Sequence, residues 1–174
     1  RTIEAMGFDW THLRPNFFMD TIWEGFRRRP DRLVHFIGDR ADPRVPDELR
    51  TEIIEAEQLT VANDTLHLVF AFNYGGRAEL GAAARRIAAE AAAGTLDPDE
   101  VDAAALGARL YLPQMPDPDL VIRSSGEQRT SNFLLWESAY AEYVFSTTLW
   151  PDFDRPTLVE CLAEYQARER RFGG

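Results

Sequence analysis

Apolar residues along this chain fall into short runs separated by polar, helix-forming stretches, and that rhythm sets the expected architecture. "RLVHFIGD" (32–39) reads as a short β-strand closed by a Gly-Asp turn. "VPDELRTEIIEAEQLT" (45–60) has helical spacing, with acidic residues in the first turn where the helix dipole favours them. "TLHLVFAFNYGGR" (65–77) is nearly unbroken apolar sequence from Leu66 to Phe72, stopped by Asn73 and the Gly75-Gly76 pair. Continuous hydrophobicity of this kind predicts a strand covered on both faces, as in a parallel sheet.

The same rhythm continues downstream. "AELGAAARRIAAEAAAG" (78–94) predicts an alanine-rich helix closed by Gly94, and "DPDEVDAAAL" (97–106) a second helix with a Pro-Asp-Glu start. "PQMPDPD" (113–119) is a proline-broken loop. "DLVIR" (119–123) and "AEYVFS" (141–146) are further buried strands, "WPDFD" (150–154) a loop, and "RPTLVECLAEYQARERRF" (155–172) an amphipathic C-terminal helix. Strands alternating with helices predict an α/β fold, with a mostly parallel central sheet flanked by helices. Ligands in open α/β sheets sit beyond the carboxyl ends of the strands. The two polar segments that follow strands, "NYGGR" and "RSSGEQRTSN", are therefore expected on one rim of the sheet.

The second of these segments carries the densest chemistry. Arg123 and Arg129 bear permanent charge in planar forks suited to phosphate oxygens. Ser131 can donate to the same oxygens, and so can backbone amides near Gly126. Glu127, between the arginines, can hold one of them in position. The competing reading is a solvated loop in which Ser131 or Asn132 caps a helix. Glu142 opens an apolar strand, where an acid is unusual; it is either partly exposed or, beside a diphosphate, a Mg²⁺ ligand. His12, His35 and His67 are scattered without metal-ligand spacing. Tyr74-Gly75-Gly76 reads first as a turn and only second as a phosphate cradle.

Composition narrows the choice of partner. The 174 residues suit one domain, and 45% hydrophobic with 28% charged residues is ordinary globular composition. A net charge of −10 argues against nucleic acid or an anionic membrane as the general partner. It leaves room for a phosphorylated small molecule, because salt screens the acidic surface over roughly 8 Å. Cys161 is alone, so no internal disulfide forms, which suits a cytoplasmic setting. The opening "RTIEAMGFDW" has neither an initiating methionine nor an apolar leader, and this suggests a fragment.

"DPDLVIRSSGEQRTSNFLLWESAYAEYVFSTTLWPDFD" resembles the signature region of the cis-prenyltransferases, the undecaprenyl diphosphate synthase family. "FIGDR", "NDTLHLVFAFNYGGRAEL" and "YQARERRFGG" match further blocks in the family's order, and the resemblance runs from about residue 26 to 174. It implies synthesis of a Z-polyprenyl diphosphate, by condensation of isopentenyl diphosphate with an allylic diphosphate and with help from Mg²⁺. It implies that Arg123, Arg129 and Ser131 hold the isopentenyl diphosphate, with Glu127 in support. It implies that Glu142 helps to bind the metal. Arg171 and Gly173 match an Arg-x-Gly element that reaches the site of a partner subunit, which implies a homodimer. Contact with membranes is then at most peripheral, through the lipid product.

Two family elements are absent: the Asp-Gly-Asn-Gly-Arg-Trp loop, which supplies an aspartate at the allylic diphosphate, and a Ser-x-Glu-Asn segment with a catalytic asparagine. The expected organisation is therefore an atypical segment at 1–25, then the C-terminal part of a cis-prenyltransferase domain at 26–174. Within the first, "IEAMGFDWTHLRPNFFMDT" (3–21) weakly resembles NmrA-like NAD(P)-binding proteins, although no Gly-x-Gly-x-x-Gly fingerprint occurs in the chain. Two alternatives to a catalytic domain follow: a non-catalytic partner subunit that lends its Arg-x-Gly, and an oxidoreductase fragment.

Overall fold

The computed structural model describes residues 32–43, 45–64 and 66–168. The segment 1–25 set apart above lies outside them. The chain divides into two compact units, one containing residues 13–116 and 132–136, the other residues 117–131 and 137 onward.

In the first unit, strand β1 (Arg32–Ile37) pairs in parallel with β2 (Leu66–Ala71), from Arg32 opposite Leu66 to Ile37 opposite Ala71. Parallel neighbours need a crossover, and helix α1 (Asp47–Thr60) supplies it. Its apolar stripe closes the core: Val34 and Phe36 of β1 pack on Ile53 and Ala56 of α1, with Leu49, Phe70 and Phe72 at the margin. Two polar residues of α1 also bond to β1. Thr60 Oγ1 accepts from the Val34 amide at 3.1 Å, and Glu57 Oε1 accepts from the Phe36 amide at 2.9 Å. These contacts satisfy strand amides that would otherwise be unpaired. Gly38 is required where the chain leaves β1: its φ is 143°, and an added Cβ would lie 1.8 Å from the Phe72 carbonyl oxygen.

Helix α2 (Gly76–Ala92) follows β2. The single helix expected at 97–106 is instead two short pieces, a 3₁₀ turn at Pro98–Glu100 and helix α3 (Ala103–Gly107). Each has its own aspartate cap, Asp97 accepting from the Asp99 amide and Asp102 from the Ala105 amide. Between them Val101 is extended, because aspartates compete for nearby backbone donors and so start new turns instead of prolonging old ones.

In the second unit, β3 (Leu120–Arg123) pairs in parallel with β4 (Glu142–Phe145). The helix after β4, α4 (Arg155–Gln166), packs against it and buries Cys161. Asp154 caps α4, accepting from the Thr157 amide at 3.0 Å and its hydroxyl at 2.8 Å. The α/β class and the parallel pairing agree with the sequence pattern. Three details differ. Among the described residues the strands form two separate pairs. Beyond β1 the strands are only half-covered: no residue of β2 is buried although it was expected to be covered on both faces, Leu120 to Arg123 are all intermediate in burial, and Val144 alone is buried in β4. Helix α4 stops at Gln166, not 172, and "WPD" at 150–152 forms a 3₁₀ turn where a loop was expected.

Candidate functional site

Arg123 is the last residue of β3, and its ladder does not stop there. The Ser146 amide donates to the Arg123 carbonyl, the Gly126 amide to Ser146 and the Ser125 amide to Thr148, each at 2.8 Å. The chain beyond β3 is thus stitched to the chain beyond β4. It then turns back through Ser125 and Gly126, both at φ 69°. Serine in this left-handed region is strained, a cost that elsewhere accompanies functional loops.

That reversal gathers four of the side chains singled out in the sequence. Glu127 Oε2 lies 4.0 Å from the Arg123 guanidinium and forms a close ion pair with Arg129. On its other side, Arg123 Nη2 donates to Ser131 Oγ at 3.4 Å. Glu127 is therefore the strut between the two arginines. Two guanidiniums against one carboxylate leave the cluster positive within an acidic chain. The Nε of Arg123 is buried and has no hydrogen-bond acceptor among the described residues. A buried donor without a partner carries a cost that an incoming oxyanion would remove. Arg129 is 67% exposed and accessible to such a ligand.

Two other expected donors are already committed. The amides of Ser125 and Gly126 serve the strand extension, so they do not face an anion. At Tyr74-Gly75-Gly76 the helix start is filled by Asn132. Its carbonyl accepts from the Gly76 amide at 2.8 Å and its Oδ1 from the Arg77 amide at 2.9 Å, while Ala78 and Glu79 donate to the Gly75 carbonyl. Asn132 is a helix cap, as one sequence reading had it, but for a helix 55 positions earlier. Nearby, the 2%-exposed Glu79 accepts from the Tyr74 hydroxyl at 2.5 Å and the Tyr111 amide at 2.9 Å. Burial, then the charges of Asp39 and Glu79, raise the Tyr111 pKa.

Glu142 is not part of the arginine cluster. It opens β4 opposite Leu120, whereas Arg123 lies opposite Phe145 at the other end of the pair. Three residues of strand separate these levels by about 10 Å. Alternation also puts Glu142 and the buried Val144 on one face, and Tyr143 and Phe145, whose rings stack at 5.9 Å, on the other. Arg123 shares the Phe145 face. Glu142 instead meets Arg168 just past α4: Nη1 donates to its Oε2 at 2.8 Å, and Nη2 to Glu164 Oε1 at 2.5 Å. The bonds to Glu142 and then Glu164 raise the Arg168 pKa. Arg168 opens the run "RERR", which reads from sequence as a basic helix end unless something anionic lies nearby, and Glu142 is that anion. Arg171 and Gly173 lie outside the described residues.

Mg²⁺ takes oxygen ligands and is usually held through one or two carboxylates together with substrate phosphates. Glu142 offers one such carboxylate, and no group of three or more metal-ligating side chains gathers among the described residues. That carboxylate is already paired with Arg168 and lies on the opposite face from the arginine cluster, so the described residues do not by themselves make a Mg²⁺ site.

Comparison with known proteins gives this arrangement a context. The chain is 52% identical over 145 residues to isoprenyl transferase 2 of Bradyrhizobium diazoefficiens, covering 81% of this chain and 55% of that protein. It is 49% identical over 163 residues to the (2Z,6E)-farnesyl diphosphate-specific trans,polycis-polyprenyl diphosphate synthase of Thermobifida fusca, covering 91% and 57%. The crystal structure of lavandulyl diphosphate synthase from Lavandula x intermedia in complex with dimethylallyl diphosphate superposes with a TM-score of 0.82 at 37% identity, over 97% of this chain and 75% of that one. The chain spans about half the length of the curated relatives it matches. A prenyltransferase family model, that of undecaprenyl diphosphate synthase, matches residues 13–173, a span that begins inside the stretch likened to NmrA-like proteins. With the family model matching nearly the whole chain, this protein belongs to the undecaprenyl diphosphate synthase family of prenyltransferases.

Proposed function

We propose that the protein makes Z-polyprenyl diphosphates and that this chain supplies the grip on isopentenyl diphosphate. The observation that carries the reading is the Arg123–Glu127–Arg129–Ser131 cluster at the carboxyl end of β3. Its two guanidiniums offer parallel N–H donors to diphosphate oxygens, Ser131 adds a hydroxyl, and Glu127 sets the spacing of the forks. Holding the diphosphate there orients the alkene of the five-carbon unit. That alkene forms a bond to C1 of an allylic diphosphate as the C1–O bond breaks, and loss of a proton leaves the Z double bond. Mg²⁺ brought in with the substrate phosphates would supply charge neutralisation to the departing diphosphate. In the same reading the chain works as a homodimer, with Arg171 and Gly173 completing the neighbouring site.

Calorimetric titration with isopentenyl diphosphate tests the proposal. Arg123→Ala and Arg129→Ala are each expected to weaken binding about tenfold or more, the effect of losing hydrogen bonds to a charged group worth roughly 1.5–3 kcal/mol. Glu127→Gln should weaken it less, since it disturbs the spacing and removes no donor. Unchanged affinity in both arginine variants would overturn the assignment.

A further inference from the structure

Strand β4 has two unlike faces. Val144 is 1% exposed, while its neighbour Phe145 is 39% exposed. Glu142 and Val144 share the face on which Glu142 meets Arg168, and alternation gives the other face to Tyr143 and Phe145. Their rings stack 5.9 Å apart and 21° from parallel, and so form a flat apolar shelf. The Tyr143 hydroxyl donates to Ser138 Oγ at 2.8 Å, which holds this ring by its polar end and leaves its apolar body to the shelf. In the parallel register Val121 lies opposite Tyr143 and Arg123 opposite Phe145, so both β3 residues join the same face. A single exposed phenylalanine on a surface means little. This one is paired with a second ring, and strand spacing puts its backbone about 5 Å from that of the arginine assigned to the diphosphate.

We propose that this shelf seats the isopentenyl tail, which makes Phe145 a specificity-determining residue for a substrate with a diphosphate at one end and a hydrocarbon at the other. The inference rests on the reading of the Arg123 cluster as the diphosphate grip. Such a ligand needs charge and apolar surface side by side. The end of the β3–β4 pair supplies both: guanidinium donors at the level of Arg123 and a partly open aromatic ring across from it. Contact with the tail removes apolar area of both partners from water, a gain that a tailless diphosphate cannot make. The opposite face cannot serve, because Val144 is buried and Glu142 is committed to Arg168. A carboxylate there would also repel a diphosphate. The five-carbon tail is short, so the ring beside the grip carries more of the contact than Tyr143, which lies about 7 Å further along the strand.

Calorimetry on the full chain with two ligands tests this: isopentenyl diphosphate, and methyl diphosphate, which keeps the charged end and lacks the isoprenoid. The wild-type chain should bind isopentenyl diphosphate more tightly. Phe145→Ala should weaken isopentenyl diphosphate about four- to fifteenfold, the effect of losing contact equal to one or two buried methylenes, and leave methyl diphosphate unchanged. Phe145→Leu, which stays apolar and loses the flat face, should fall between. Arg123→Ala should weaken both ligands alike. Circular dichroism confirms that each variant is folded. Unchanged isopentenyl diphosphate affinity in Phe145→Ala, or an equal loss for both ligands, would overturn the shelf, while loss of both in Arg123→Ala leaves the grip standing. Methyl diphosphate binding that Arg123→Ala does not alter would overturn the grip, and the inference with it.

Discussion

Asn132 offers the sharpest test of how the polar segment is held. It combines two demands, a backbone φ of 65° and a side-chain oxygen that accepts from the Arg77 amide at 2.9 Å. Asparagine tolerates the left-handed region; alanine pays about 1–2 kcal/mol there. Removing a helix-capping oxygen costs about 1 kcal/mol more. Asn132→Ala should therefore lose roughly 2–3 kcal/mol, whereas Asn132→Gly, freed of the backbone penalty, should lose only the cap, about 1 kcal/mol. Asn132→Asp keeps the acceptor and adds negative charge at a helix start, so its stability should be close to wild type or slightly higher. Urea titration followed by circular dichroism reads these differences directly, and the melting temperature of Asn132→Ala should fall by roughly 4–12 °C for a chain of this size. Equal losses in the alanine and glycine variants would refute the strain argument. An aspartate variant as unstable as alanine would refute the cap.

Other outcomes follow from buried and titrating groups. Glu79→Ala should cost about 2–5 kcal/mol, because it leaves the Tyr74 hydroxyl and Tyr111 amide without their acceptor, and Tyr74→Phe should cost about 1 kcal/mol; urea midpoints distinguish them. His35, stacked on His67 at 5.6 Å, has its pKa lowered from 6.5, first by burial and then by the charge of His67. The folded state therefore takes up its proton less readily than the unfolded chain, so stability should fall as pH drops through 6.5 towards the lower folded value. His35→Gln should flatten that part of the stability–pH curve; an unchanged slope would exclude His35 as its source. Burial raises the pKa of Cys161, so alkylation by iodoacetamide should be slow in the native protein and speed up in denaturant.

How much of this was legible beforehand depends on the range of each interaction. The strands at 32–37 and 120–123 were readable because a short, mostly apolar run between turn residues leaves few other options. Helix α2 was readable from its alanines, which favour helix wherever they fall. The helix expected at 97–106 failed for an equally local reason: two aspartates five positions apart each captured a nearby amide and split it. The cluster of Arg123, Glu127, Arg129 and Ser131 was visible because its members sit within nine residues, and a turn at Gly126 was enough to fold them together.

The sequence by itself determined the class of fold, the polar segment after β3 and the residue types available to grip a phosphate, since these follow from periodicity and short-range spacing. Only the tertiary structure decided who touches whom. It assigned Asn132 to a helix 55 positions away, spent the Gly126 amide on strand pairing, and put Glu142 on the opposite face from Arg123, in the grasp of Arg168. Those outcomes depend on strand register and helix docking. A one-residue change of register would send every side chain of β4 to the other face, and no local pattern of residues records that choice.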